Sequence, residues 1–276
     1  MRFISLASSS KGNSTLISYK STNILVDCGI SKKRIVESIG RYGLTLSDID
    51  CILITHEHSD HIMALPAILK DNDIKVISQR DTLNCILNYC EEKNVKVNTE
   101  NFKIISPVNI LNDNVAFEIG DIKFYPLKGH HDVASLYYKF QLGDTIVAIL
   151  TDMGSYNEYT IKTLEDVDYL MLESNYDEEL ILENNYPAWL KSRIISEGGH
   201  LSNRDSANII MRLAGKRIKE VYLSHISEDS NSEELAFNFV NKYLEDNYKN
   251  DFHLPDIRVA RRIEVTEIIN DGGDYD

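Results

Sequence analysis

The sequence predicts an α/β fold in which two β-layers carry helices on their outer faces. Three observations lead there. Short β-branched runs crowd the early chain in hairpin-like succession, and later runs alternate with segments of helical periodicity. Hydrophobic residues make up 43% of the chain, enough to bury a substantial core. The residues best suited to bind metal each stand just past an apolar run, where α/β proteins tend to place their sites.

In chain order, strand-like runs fall at 3–7, 15–19, 23–26, 51–54, 75–77, 115–117, 123–127, 136–141, 145–150, 169–172, 220–223 and 258–260. Helical periodicity falls at 33–42, 62–70, 80–89, 157–164, 187–195, 203–213 and 232–246. In 62–70, for example, Ile62, Leu65, Ile68 and Leu69 recur at helical spacing with polar residues between them. No Gly/Ser-rich or Pro-rich linker interrupts the pattern, and candidate ligands run from His56 to His225. One domain over 1–276 is therefore expected, with a frayed acidic tail from about 268.

No run approaches the roughly 20 apolar residues of a membrane span, and the start lacks an apolar segment of signal-peptide length. Cys28, Cys51, Cys85 and Cys90 form neither a disulfide framework nor a zinc-finger spacing. A cytoplasmic protein with no membrane contact is expected, and no obligate protein partner can be inferred. The net charge of −14 argues against a broad basic surface for nucleic acid. It leaves room for local grip on phosphate. Two small basic groups, Arg258/Arg261/Arg262 and Lys216/Arg217/Lys219, read best as ordinary solvated charge.

The densest chemistry is His56-Glu57-His58-Ser59-Asp60-His61, which closes the buried-strand pattern of Cys51 to Thr55. In extended chain His56 and His58 point the same way, while Asp60 and His61 open a helix and can face elsewhere. One pair can serve one metal and the second pair a neighbour. Imidazole with carboxylate suits Zn or Mn, and Fe also fits. Further candidates are His130 and His131 after 123–127, Asp152 after 145–150 and His225 after 220–223.

Together these residues resemble the metallo-β-lactamase superfamily, whose motif is H-x-H-x-D-H followed by a His, an Asp and a final His. The resemblance implies an αβ/βα four-layer sandwich, two mixed sheets flanked by helices. It implies metal ligands His56, His58, Asp60, His61, His131, Asp152 and His225, with Asp27 supporting the metal loop by hydrogen bonding. His131 is preferred to His130 because the family ligand precedes an Asp, here Asp132, and because His130 would point to the other side of an extended chain. Leu6 to Ser14, Gly199 to Asn203 and Leu223 to Ser227 further resemble the bacterial YycJ/WalJ branch, which implies a DNA 5′-exonuclease acting on DNA ends. The chain departs from that branch at Tyr176, where the branch favours His.

The expected chemistry is dinuclear phosphodiester hydrolysis with a metal-bridging hydroxide as nucleophile. His56, His58 and His131 would hold one ion, Asp60, His61 and His225 the other, and Asp152 would bridge. Asp60 would also orient the nucleophile. His200, in a Gly-Gly-His-Leu-Ser-Asn turn and oriented by Glu173, would stabilise or protonate the leaving oxygen, by analogy with the related ribonuclease Z branch; packing of the turn is the alternative reading. Ser9, Ser10 and Asn13 in the early turn, and Ser202 and Asn203 ahead of a helix, are candidate substrate contacts, and Ser202 or Asn203 can cap that helix. For Ser9 to Asn13 a plain hairpin turn fits equally well. Competing readings are a thioester or lactone hydrolase of the same fold and a non-catalytic metal or phosphate sensor. A redox di-iron role is disfavoured because His58 stands where such relatives carry Glu.

Overall fold

The computed structural model describes residues 1–112, 115–249 and 251–271. The first sheet runs in the order β14 (Thr266–Asn270), β1 (Arg2–Ser9), β2 (Gly12–Tyr19), β3 (Thr22–Val26), β4 (Cys51–Leu53), β5 (Lys75–Ser78) and β6 (Phe102–Ile104). The second runs β13 (Asp256–Val259), β12 (Glu220–Ser224), β11 (Tyr169–Glu173), β10 (Thr145–Leu150), β9 (Leu136–Leu142), β8 (Ile122–Lys128) and β7 (Phe117–Ile119). In each sheet antiparallel hairpins give way to parallel strands: β3 to β6 in the first, β10 to β13 in the second. Parallel neighbours need crossovers, and helices supply them on the outer faces.

A shared core joins the sheets: Phe3, Ile17 and Ile24 from one, Phe124, Tyr138 and Met171 from the other. Outside the first sheet lie α1 (Lys32–Gly40), α3 (Leu65–Leu69) and α4 (Arg80–Glu92), which bury Ile35, Ile39, Leu65, Ile68, Leu83 and Ile86. Outside the second lie α5 (Glu158–Leu164), α8 (Asn203–Leu213) and α9 (Glu233–Asn247), which bury Ile161, Leu164, Ile209, Ile210, Ala236 and Val240. The expected helix–sheet–sheet–helix sandwich is what forms.

Local departures have physical causes. The helical run at 62–70 splits into α2 (Ser59–Ile62) and α3, because Pro66 lacks an N–H and is favoured only in a helix's first turn. The strand expected at 115–117 forms two residues later as β7, and residues 113 and 114 lie outside the described residues. β6, with two of its three residues exposed, and the six-residue α6 (Glu178–Glu183) carry too little pattern to be read in advance. The expected frayed tail is corrected in part. Residues 268–270 belong to β14, which pairs antiparallel with β1, and 272–276 lie outside the described residues. The helix α7 (Ala188–Ile194) buries none of its residues, and Trp189, the sole tryptophan of the chain, is 69% exposed on it.

Candidate metal centre

The site lies where strands of both sheets end. His56, His58, Asp60 and His61 follow β4, and Asp27 follows β3; His131 follows β8, Asp152 follows β10, Glu173 ends β11 and His225 follows β12. Three of these residues take left-handed backbone: Asp27 at φ 61°, Asp152 at 56° and His225 at 51°. Non-glycine residues rarely adopt it, and such strain gathers at functional sites. The turn after β3 also needs Gly29. A Cβ there would fall 1.5 Å from the Asp60 carbonyl oxygen, so only glycine lets the two loops touch.

The side chains converge into three groups sharing Asp152: His56, His58 and His131 on one side, Asp60, His61 and His225 on the other, and Glu173 and His200 with His225 behind the second. His56 Nε2 lies 3.0 Å from His58 Nδ1, which lies 3.2 Å from His131 Nε2. Nitrogens held about 2.05 Å from one tetrahedral ion would stand roughly 3.3 Å apart. Across the site His61 Nε2 is 3.0 Å from Asp152 Oδ2 and 3.3 Å from Asp60 Oδ2. His225 Nε2 is 3.4 Å from Asp60 Oδ2 and 3.6 Å from Asp152 Oδ1.

The ring nitrogens facing away are held by oxygens. His56 Nδ1 meets Thr55 Oγ1 at 3.0 Å, and His61 Nδ1 donates to Asp27 Oδ2 at 2.8 Å. His131 Nδ1 donates to the Gly199 carbonyl at 3.1 Å, and His225 Nδ1 to Glu173 Oε1 at 2.7 Å. Such bonds fix which nitrogen is free and raise its basicity, as metal-ligating histidines require.

Electrostatics point the same way. Burial drives His56 well below its ordinary pKa, and nearby His61 adds to the fall. Burial lowers His58 too. At His61 burial is outweighed by Asp152, Asp27 and Asp60, and its pKa rises well above the ordinary value. At His225 burial is outweighed by Asp152, Asp60 and Glu173, and the pKa is pushed up to about 10. Burial alone would raise Asp60 and Asp152, but the surrounding imidazoles hold both far below the usual carboxylate range. Asp152 Oδ2, although close to His61 Nε2, is buried without an aligned hydrogen-bond partner among the described residues. A buried anionic oxygen left in that state is costly, and the donor set fits a cation.

A family model described as the Metallo-beta-lactamase superfamily matches residues 10–225. The chain belongs to the metallo-beta-lactamase superfamily. Exodeoxyribonuclease WalJ of Streptococcus pneumoniae serotype 2 is 33% identical over 238 residues, covering 84% of this chain and 83% of the relative. Exodeoxyribonuclease YycJ of Bacillus anthracis is 31% identical over 247 residues, covering 89% and 90%. In shape the chain is similar to the metallo-beta-lactamase fold protein YhfI from Bacillus subtilis, with a TM-score of 0.68 at 15% identity, covering 97% of this chain and 100% of that one. Membership in this superfamily, with such relatives, makes the chain a metal-dependent hydrolase whose His and Asp groups are placed for metal.

Within this metallo-beta-lactamase site the sequence-predicted residues meet different fates. The seven candidate ligands come together, and His131 rather than His130 joins them. His200 Nδ1 donates to Glu173 Oε1 at 2.8 Å, as expected, and the ring helps line a cavity of about 310 Å³ over the cluster. Ser10 lines that cavity, while Ser9 lines a neighbouring one. Asn13, a candidate substrate contact, faces the ligand cluster. It is buried, and its Nδ2 lies 3.2 Å from both Asp60 Oδ2 and His61 Nε2. Ser202 and Asn203 are both 1% exposed. Ser202 caps α8 by accepting from Asp205 N, and Asn203 Oδ1 accepts from Ser174 Oγ and Asn231 Nδ2. Tyr176 is buried, and its carbonyl accepts from Asn203 N.

Sequence reading missed Thr55, whose hydroxyl donates to Asp27 and contacts the His56 and His61 rings. It missed Asn175, which donates to the His225 carbonyl at 2.8 Å and to Ser10 Oγ at 3.1 Å. Thr55 had one available signal, its place directly before the motif. Five of the six residues in the suspected basic groups pair with a carboxylate within 3.2 Å: Lys216 with Glu165, Arg217 and Lys219 with Asp168, Arg258 with Glu220 and Arg261 with Glu233.

Proposed function

We propose that the protein is a two-metal phosphodiesterase that trims DNA from the 5′ end. The observation that carries the reading is the convergence of two ligand groups on one shared carboxylate beneath an open cavity, with a carboxylate-held histidine beside them. The exodeoxyribonuclease relatives support DNA as the substrate class. His56, His58 and His131 would hold one ion and Asp60, His61 and His225 the other, with Asp152 shared between the two groups. Zn and Mn suit this mixture of imidazole and carboxylate, and Fe does as well. Bound there, such ions would supply a hydroxide at neutral pH and neutralise charge on the phosphate.

The chain's own residues do the rest. Asp60, fixed by Asn13, orients the attacking water through a hydrogen bond. Glu173 holds His200 by Nδ1, which leaves Nε2 for the cavity. As an imidazolium, His200 donates its Nε2 proton to the departing sugar oxygen. The four free cysteines favour a reducing compartment, and we place the protein in the cytoplasm. Both sheets supply ligands, so residues 1–276 are read as one domain.

The test incubates metal-reconstituted protein with 5′-labelled and 3′-labelled DNA and RNA, alongside a thioester. Release of mononucleotide from labelled 5′ ends of DNA, abolished by Asp152→Ala in a protein of unchanged circular dichroism, is the expected result. Thioester cleavage without nuclease activity would overturn the proposal.

A further inference from the structure

The cavity over the metal centre does not end there. Ser10, Tyr186 and Ser227 line it on one side and line a second chamber, of about 350 Å³, on the other. In a chain of net charge −14 this chamber gathers three cations, Lys11, Arg34 and Arg262. Its acidic residues are occupied in part: Glu228 pairs with Lys11, and Asp229 Oδ2 accepts from Tyr186 Oη at 2.8 Å. Arg34 spends one nitrogen on the Ile263 carbonyl.

Arg262 is the exception among the six residues of the suspected basic groups. Its backbone N–H donates to Glu233 Oε1 at 2.8 Å, but the carboxylate oxygen nearest its guanidinium, on Glu228, is 3.9 Å from Nη1, too far for a hydrogen bond. Its Nη1 is buried and has no hydrogen-bond partner among the described residues. A buried guanidinium nitrogen with nothing to donate to is costly, unless the ligand it serves is the missing acceptor. A guanidinium matches the oxygens of a phosphate in shape and charge. Ser9, Ser10 and Ser227 add hydroxyls on the same walls.

We infer that this chamber binds a second phosphate of the nucleic-acid strand whose scissile phosphate lies at the metal centre, and that Arg262, with Arg34 and Lys11, grips it. The inference rests on the phosphodiesterase reading and adds a site to it. The chamber would set how a strand is threaded past Ser10 and favour a polynucleotide over a diester with one phosphate.

The experiment measures binding of a cleavage-resistant phosphorothioate single strand to metal-reconstituted protein as salt is raised. For single strands, each phosphate contact contributes about 0.7 to the slope of log affinity against log salt. Arg262→Gln and, separately, Arg34→Gln should each weaken binding and reduce that slope by about 0.7. Arg258→Gln, outside the chamber, should retain the wild-type slope. The ratio of kcat/KM for the strand to that for bis(p-nitrophenyl) phosphate should fall at least fivefold in Arg262→Gln. An unchanged slope in both chamber variants would overturn the second phosphate site. Wild-type protein inert toward every diester, with the slope still dependent on Arg262, would instead remove the catalytic reading and leave the chamber standing.

Discussion

His225 shows how much is asked of one residue at this site. Its backbone sits at φ 51°, its N–H donates to Ser8 Oγ at 2.9 Å, and its Nδ1 donates to Glu173. Every one of these constraints leaves Nε2 turned toward Asp60 and Asp152. Glu173 holds His200 with the same oxygen, so one buried carboxylate orients both a ligand and the proposed acid. If His200 protonates the leaving oxygen, His200→Ala should lower kcat about 100-fold on a nucleotide substrate and far less on a p-nitrophenyl ester, whose leaving group needs no proton. Steady-state kinetics on the pair decides it, and equal losses would make His200 a packing residue. The clustered His and Asp residues were legible because His and Asp at fixed offsets from a strand have few other uses. Asn13 was not, since its partners Asp60 and His61 are 47 and 48 residues away and a buried amide looks like any turn residue.

At the level of elements, the strand ends divide the work. In the second sheet β10, β11 and β12 run parallel, so their C-terminal ends gather Asp152, Glu173 and His225 together. Their N-terminal ends are tied by Asp168, a buried residue. Its Oδ2 accepts from Ile146 N at 2.9 Å and from Arg217 at 2.7 Å, and its Oδ1 stands 3.1 Å from Lys219. Burial opposes ionisation there, but Arg217, the Ile146 N–H and Lys219 outweigh it and lower the carboxyl pKa. A carboxyl depressed in the folded state stabilises fully above its unfolded value of about 3.9. That contribution is lost as pH falls below this value through the lower folded one. Asp168→Asn should therefore cost about 1–3 kcal/mol at neutral pH, and the gap from wild type should close in urea melts as pH drops through this window. Most strands and long helices could be read from periodicity, but β14 could not. Its pairing with β1 joins opposite ends of the chain, and local pattern carries no record of that.

Across the whole molecule, the centre is a clamp between two sheets. His56, His58, Asp60 and His61 hang from the first, and His131, Asp152 and His225 from the second. Metal held there would tie the layers together beyond what their shared apolar core does. Chelation should lower Tm by on the order of 10 °C where metal had been present at 1,000 times its Kd. Returning Zn or Mn should restore it in a calorimetric scan, and an unchanged Tm would contradict a clamp across the sheets. The sandwich was legible from the order of strands and helices, whereas the join between the cavity and the Arg262 chamber depends on loops that meet only in space. One of the segments bordering that cavity carries a ready signal. Leu190, Arg193 and Ile194 of α7 line the cavity, and Trp189, one turn before Arg193, is exposed beside them. Because the chain has no other indole, its ultraviolet emission is a private optical channel for α7. On the phosphodiesterase reading, entry of a nucleotide strand should change this emission, and stopped-flow fluorescence would time it with no label attached.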